Sequence, residues 1–216
     1  MELKDSPIYK FIKNYIDDIE IVKFKKGEYI ERADSDSNCI YYILDGNVKE
    51  ESVSRSGNRV LIDEISTGKF AGHISKLRGS SFHCDAIAKT PCTLARIKID
   101  ILYKLFENDE FARYFYLITS DRIYYMYKKL LLERLFSWEE IVSYHILHNS
   151  KNDVFVYKSM YDICEQLNIS RRGLYNIINK FVYEGYLEKK ENVFIIKDRD
   201  YLMSLAHDVY EYYQGN

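Results

Sequence analysis

The chain has 216 residues, 47% of them hydrophobic and 30% charged, with a formal net charge of −2. That is enough apolar material for one or two domains with real cores, and the balance of charge argues against a protein that coats nucleic acid indiscriminately while allowing a local basic face. No apolar run is long enough to cross a membrane and the first seven residues lack an apolar signal core, so a cytoplasmic chain without a membrane contact is expected.

The opening residues Ile8, Phe11, Ile12, Tyr15 and Ile16 follow helical spacing and predict an amphipathic helix. Short apolar runs come next: Ile19 to Phe24, Lys26 to Ile30, Ile40 to Leu44, Asn47 to Val53, Val60 to Ile65 and Thr93 to Ile97. Turn signals stand between them at Gly27, Asp45-Gly46, Ser56-Gly57-Asn58 and Gly68. Many short strands punctuated by glycine predict an antiparallel β-roll over residues 1–108.

Asp100 is placed to cap a short helix through Phe106, and from Asp109 to about Leu135 no proline or glycine interrupts a long one. Along it Phe111, Phe115, Ile118, Arg122, Tyr125, Lys129 and Leu132 alternate spacings of four and three. That is the seam of a two-stranded coiled coil and predicts a dimer interface over residues 109–136, with Arg122 and Lys129 interrupting the apolar line. A helix packed only on its own roll is the plainer alternative.

Residues 137–216 carry the most specific local signal. Ser159 is placed to cap a helix through Leu167, Asn168 tolerates a left-handed turn, and Ser170 is placed to cap a second helix through Phe181. This is the pattern of a DNA-reading helix-turn-helix. The second helix has Arg171, Arg172 and Lys180 and no acidic residue, while Leu174, Ile177, Ile178 and Phe181 form its apolar face. N-terminal residues of such a helix touch base edges, with arginine suited to guanine and asparagine to adenine. The candidate DNA-binding residues are therefore Ser159, Ser170, Arg171, Arg172, Tyr175, Asn176 and Lys180. Glu184-Gly185 ends the helix, and Tyr186 to Lys190 and Val193 to Lys197 predict two strands around Glu191-Asn192, a wing that presents Lys189 and Lys190 to the phosphate backbone. A last helix is expected from Asp200 to Tyr213, packed on the winged helix or touching the roll.

Cys39, Cys84, Cys92 and Cys164 include no CxxC pair, so neither a zinc site nor a disulfide framework is indicated and free thiols are expected. Cys84 and Cys92 form a redox pair only if their Cα atoms lie close together. His73 and His83 make no His-x-His pair, and there is no phosphate-binding glycine loop or serine nucleophile elbow, so no catalytic site is expected. His73, His83 and Cys84 are donor types that suit transition metals, but they read as ordinary loop residues, and no metal or cofactor is expected.

Taken in order, Lys26-Gly27-Glu28-Tyr29-Ile30, Tyr42 to Lys49, Gly68-Lys69-Phe70-Ala71-Gly72, Thr90 to Ile97, the long helix and the Ser170-Arg171-Arg172 helix-turn-helix resemble the Crp/Fnr family of bacterial transcription regulators. Asn58 to Asp63 and the tail after the wing are similar to its YeiL-like branch. The resemblance implies an α+β fold: an effector-sensing roll like a cyclic-nucleotide-binding domain, a dimerising helix and a C-terminal winged helix. It also implies a homodimer on a palindromic operator of double-stranded DNA, with RNA polymerase as a partner.

The departures fall at the sensor. Cyclic-nucleotide-binding members hold the ribose with a Gly-Glu pair and the phosphate with an arginine about ten residues on, whereas this chain has Gly72-His73 and then Ser81 and His83. A buried phosphate without a guanidinium lacks its charge-assisted partner. On the long helix Tyr125 and Met126 replace the small hydroxyl residues that the family offers to the base. The expected effector pocket, formed by Gly72, His73, Ile74, Ser81, His83, Cys84, Tyr125 and Met126, is therefore expected to take an unknown small molecule other than cAMP, or no small-molecule effector at all. The oxygen-sensing branch carries an N-terminal cysteine cluster for an iron–sulfur centre, and no cysteine precedes Cys39. Two other functions fit the same fold: a winged helix that binds protein and has lost DNA, and a cyclic-nucleotide-responsive regulator.

Overall fold

A computed structural model describes residues 2–57, 59–79 and 84–214. The elements run β1 (Glu20–Phe24), β2 (Tyr29–Glu31), β3 (Cys39–Asp45), β4 (Asn47–Val53), β5 (Arg59–Ser66), β6 (Phe70–Ala71), β7 (Asp85–Ala88) and β8 (Cys92–Lys98). Helices α1 (Tyr9–Ile12) and α2 (His73–Arg78) accompany them, followed by α3 (Ile99–Phe106) and α4 (Asp109–Leu135). Beyond these lie α5 (Trp138–Asn149), β9 (Val154–Val156), α6 (Met160–Leu167), α7 (Arg171–Tyr183), β10 (Leu187–Lys190), β11 (Val193–Ile196) and α8 (Arg199–Gln214). The chain divides into two compact units, Met1–Tyr124 and Tyr125–Asn216, whose boundary falls inside α4.

The first unit is a roll of two four-stranded antiparallel sheets, in the orders β1-β8-β3-β6 and β2-β7-β4-β5. Strand β3 explains how they stack. Cys39 to Leu44 are all buried, because Tyr41 and Ile43 point into the core shared with Val48, Ile65 and Ala86, while Ile40, Tyr42 and Leu44 face a second core with α1, α3 and the start of α4. A strand covered on both faces reads as an unbroken apolar run rather than an alternating one. The hairpin from β3 to β4 needs its glycine: Gly46 has φ +93°, and a Cβ there would collide with the Pro91 carbonyl oxygen.

Several expectations need correction. The predicted opening helix is only one α-turn, Tyr9–Ile12, continuing as a 3-10 segment, Lys13–Asp18, in which Tyr15 leaves helical geometry. Burial of Ile8 and Ile12 accounts for the helical spacing, and Ile16 is exposed. Asp100 does not cap α3; the N-cap is Lys98, and Asp100 lies in the first turn.

The predicted dimer seam on α4 is largely used within the chain. Phe111 and Phe115 are buried in a ring cluster with Phe70 and Phe106, and Ile118 packs against the same core. Arg122 is buried by ion pairs with the roll, Leu132 packs with Ile141 and Val209, and Lys129 donates to the Gln166 carbonyl at 3.0 Å. Of the seven residues only Tyr125 is exposed. Up to Arg122 the four-three spacing marks residues packed within the first unit, and Lys129 and Leu132 make their contacts within the second.

The second unit is a winged helix whose core joins Val142 and Ile146 of α5 with Ile163, Leu174, Phe181 and Phe194. Strands β10, β11 and β9 form its antiparallel sheet. Helix α8 packs on α5 inside this unit, through contacts such as Tyr144 with Tyr210.

Candidate nucleic-acid interface and sensor site

The helix-turn-helix is set by three local devices. Ser159 accepts from the Asp162 backbone at 3.1 Å to start α6. Asn168 ends α6 at φ +57°, ψ +31°. Ser170 then accepts from the Gly173 backbone at 3.0 Å to start α7. Glycine at 173 fits that cap closely, since a Cβ would lie 3.1 Å from the Ser170 hydroxyl oxygen and 3.3 Å from Ile169. Both serines, predicted as DNA contacts, are thus engaged in capping.

Helix α7 buries Leu174, Ile177, Ile178 and Phe181. The spacing leaves Arg172, Asn176, Asn179 and Tyr183 along the opposite, exposed line, with Arg171 beside its start. Among the described residues neither arginine forms an ion pair. The first turn of α7 contains no acidic residue, so two guanidiniums stand where the helix dipole disfavours cations, by roughly 0.3–1 kcal/mol each. An anion at that end relieves the conflict. Asn179 is not among the sequence candidates; its place one turn beyond Asn176 on the exposed line is the signal that finds it.

The remaining basic candidates are less available. Lys180 is held by both carboxylate oxygens of Glu139 on α5, at 2.8 and 2.9 Å, which turns it from a phosphate ligand into a tie between helices. On the wing Lys190 pairs with Glu188 at 2.6 Å, as does Lys197, and the two lysines hold the Glu188 carboxyl down to about 2. Lys189 lies 5.1 Å from the centre of the Tyr175 ring, a half-buried residue packed on the core rather than an open contact. Lys189 is itself exposed, so it remains the wing's best phosphate ligand.

At the sensor, Gly72 adopts φ +77° and precedes α2, and His73 is buried. The His73 ring stands edge-on to Phe115 at 5.4 Å. Burial, with the Arg122 charge second, pushes its pKa down to about 4, and its Nδ1 has no hydrogen-bond partner among the described residues. His73 is therefore neutral near pH 7 and brings no positive charge. Ile74 is half-buried on α2, and Ser81 and His83 lie outside the described residues. Tyr125 and Met126 belong to the second unit.

The charge that matters comes from α4. Arg122 is 5% exposed, pairs with Glu50 at 2.5 Å and with Asp63, and donates to the Phe70 carbonyl at 3.0 Å. Its guanidinium is thus committed to internal partners. Nearby, Glu31 pairs with Lys76 at 2.7 Å through one oxygen while the other is buried without a partner among the described residues, and burial raises its pKa. A polar cleft of about 310 Å³ is lined by Glu31, Asp36, Ser75, Lys76 and Cys84, among others. Arg32 also lines the cleft, exposed and stacked over the Tyr29 ring at 4.2 Å, so the cleft carries both signs of charge.

Cys84 precedes β7 of one sheet and Cys92 opens β8 of the other. All four cysteines are free. Burial pushes the Cys84 thiol up to about 11 and raises that of Cys92, which disfavours the thiolate that redox exchange requires. Among the described residues no group of three metal-donor side chains is gathered, and no helix is long and apolar enough to cross a membrane.

Residues 21–120 match the family described as the cyclic nucleotide-binding domain. None of the curated proteins compared matches the chain. Among solved structures, it is similar to a CRP/FNR-family transcriptional regulator from Thermus thermophilus, at 19% identity and TM-score 0.63, covering 87% of this chain and 98% of that one. A protein assigned as a regulator of the same family from Eubacterium rectale gives 16% identity and TM-score 0.72, covering 93% and 98%. The c-di-GMP responsive global regulator CLP of Xanthomonas campestris gives 15% and 0.70, covering 88% and 99%. The architecture is therefore that of the CRP/FNR regulators: a cyclic-nucleotide-binding-type roll, a long helix and a C-terminal helix-turn-helix.

Proposed function

We propose that the chain is a homodimeric, sequence-specific DNA-binding transcription regulator of the Crp/Fnr type. The observation that carries this reading is the first turn of α7, where Arg171 and Arg172 are exposed and lack ion pairs among the described residues, against the helix dipole, beside Asn176 on the face turned away from the core. A solvated structural helix gains nothing from that arrangement, whereas a helix lying in a major groove does. RNA polymerase as a partner, placement in the YeiL-like branch and a cytoplasmic location belong to the same proposal.

The dimer is proposed to form on α4 through residues other than the predicted seam. Tyr116, Ile123, Tyr127 and Leu130 are exposed, and they recur at intervals of seven, four and three, the a/d positions of a second heptad line. Ile123→Glu or Leu130→Glu should convert a dimer to a monomer in sedimentation velocity; an unchanged dimer would exclude this face.

The sensor is proposed to respond to something other than a cyclic nucleotide. Glu50 and Asp63 already neutralise Arg122, which leaves that guanidinium no free face for a phosphate. Saturable cAMP or cGMP binding at micromolar concentration in calorimetry would overturn this part. Mobility-shift titration of selected duplexes across a salt series tests the main proposal: a specific complex weakened by Arg172→Ala is expected, and no complex with any duplex would favour a protein-binding winged helix.

A further inference from the structure

The second unit contains a cavity that the DNA-binding proposal does not use. Its volume is about 260 Å³, and all of its lining residues lie between Tyr125 and Tyr213. The last turns of α4 contribute Lys128, Lys129 and Glu133, α5 contributes Tyr144 and His145, the end of α6 contributes Gln166 and Leu167, and α8 contributes Tyr213. It is a cleft open to solvent beside Tyr125 and Tyr213, both of which are exposed. Its volume exceeds the roughly 150 Å³ that accommodates benzene and falls below the roughly 300–1,000 Å³ of drug-sized sites. A compound of one or two rings fits the volume.

The lining specifies more than size. Tyr144 and Tyr213 are stacked, 4.8 Å apart and 11° from parallel, which offers a flat aromatic surface. Lys128 Nζ is 5.0 Å from the centre of the Tyr213 ring, and Lys129 stands beside it in sequence. The lining carries two lysines and one glutamate, and Lys129 also donates to the Gln166 carbonyl at 3.0 Å. His145 is neutral near pH 7, since burial pushes its pKa down to about 4. Its Nε2 is buried with no partner among the described residues, a group left to be satisfied by whatever enters.

We propose that this cavity is a binding site for a small planar aromatic anion, such as an aromatic carboxylate, whose ring lies against the Tyr144–Tyr213 stack and whose charge is met by Lys128 and Lys129. The His145 ring nitrogen supplies a further hydrogen bond. Such a ligand touches α4, α5 and α8 together with Gln166 and Leu167, the two residues before the Asn168 turn that aims α7. It binds more tightly to the arrangement that encloses it and shifts the unit toward that state. Only this consequence for DNA rests on the proposed function; the binding itself does not.

Calorimetric titration of the full chain with benzoate and indole-3-carboxylate, and with benzylamine as the charge-reversed probe, tests it. Trp138 is the only tryptophan and packs in the cluster containing Leu132, Ile141 and Leu167, so its fluorescence under benzoate is a site-local readout. Saturable binding of a carboxylate with a Trp138 response is expected, about tenfold weaker for benzylamine and about tenfold weaker in Lys128→Gln/Lys129→Gln. Tyr213→Ala, close to the chain end, should weaken it in a protein whose thermal melt is otherwise cooperative. No saturable binding by either carboxylate, equal binding of benzylamine, or unchanged affinity in the double-lysine variant overturns the proposal. Arg172→Ala leaves this titration unchanged while weakening specific DNA binding, which keeps the two proposals separable.

Discussion

In the roll, Arg122 reaches back from α4 to Glu50, Asp63 and the Phe70 carbonyl and is almost wholly enclosed. In the winged helix, Arg171 and Arg172 project from the start of α7 with no ion-pair partner among the described residues. The same side chain is a structural tie in one unit and an unsatisfied contact in the other, and the difference lies in the carboxylates each fold brings near it. A site keeps its capacity to bind when its charges are left unpaired, and loses it when the fold supplies the counter-charge. Lys180 makes the point within a single helix, since Glu139 closes on it while Arg172, two turns earlier, stays open.

The largest test removes the tie. Arg122→Met leaves Glu50 and Asp63 partly enclosed without their counter-charge, and breaking a buried pair from one side costs about 3–5 kcal/mol. Urea unfolding followed by far-ultraviolet circular dichroism should show a loss of that size, largely restored when Glu50→Gln and Asp63→Asn are added. If the single variant unfolds like the parent, Arg122 is not a tie and the contrast with α7 fails.

A second test uses pH. The His73 pKa lies near 4 in the folded chain, below its ordinary value, because burial and Arg122 disfavour the imidazolium. The folded state therefore holds fewer protons than the unfolded chain between these values. Its contribution to stability is full above about pH 6.5 and is lost as pH falls toward 4, on the order of 3 kcal/mol in all. Subtracting the stability of His73→Gln from that of the parent, pH by pH, isolates the histidine from the carboxylates titrating in the same range. A flat difference would mean that His73 is more hydrated than its 4% exposure indicates.

The helix-turn-helix is legible in the sequence because its determinants are local. Ser159, Asn168 and Ser170 act within three residues of themselves, and Gly185 takes φ +82° just past the end of α7. Helix α5 escapes the same reading although Ser137 and Glu140 form a complete capping box. Its buried residues Ile141, Val142, Ile146 and Leu147 span more than one face, so a single apolar stripe does not announce it. The α4 seam misleads in the opposite sense. Its spacing does mark one apolar face, but spacing alone does not say whether that face meets another copy or the chain's own roll. The Arg122 cluster and the Lys180–Glu139 pair depend on residues far apart in the chain, which composition and periodicity do not connect.

A third test separates reading from attraction. Arg172→Ala should cost about 1–3 kcal/mol in specific binding and relax base preference at one position of each half-site. Lys189→Gln should weaken specific and nonspecific complexes alike and reduce the salt slope by about one. Paired mobility-shift titrations on a selected site and a scrambled duplex measure both. Identical behaviour of the two variants would remove α7 as the reading element.

The smallest effect concerns Ser170, which the sequence offers as a DNA contact and the structure uses as a cap. Ser170→Ala removes the acceptor for the Gly173 N–H and should lower stability by about 1 kcal/mol. Ser170→Asp keeps an acceptor at the N-cap and adds the negative charge that the helix dipole favours there, so stability should match or exceed the parent. The same charge stands next to the two arginines and faces any phosphate they approach, so DNA affinity should fall even though the fold is intact. A variant that is as stable as the parent but binds DNA poorly locates the anion-facing end of α7 without touching either arginine. If Ser170→Asp binds as well as the parent, that end does not meet DNA, and the unpaired arginines need another partner.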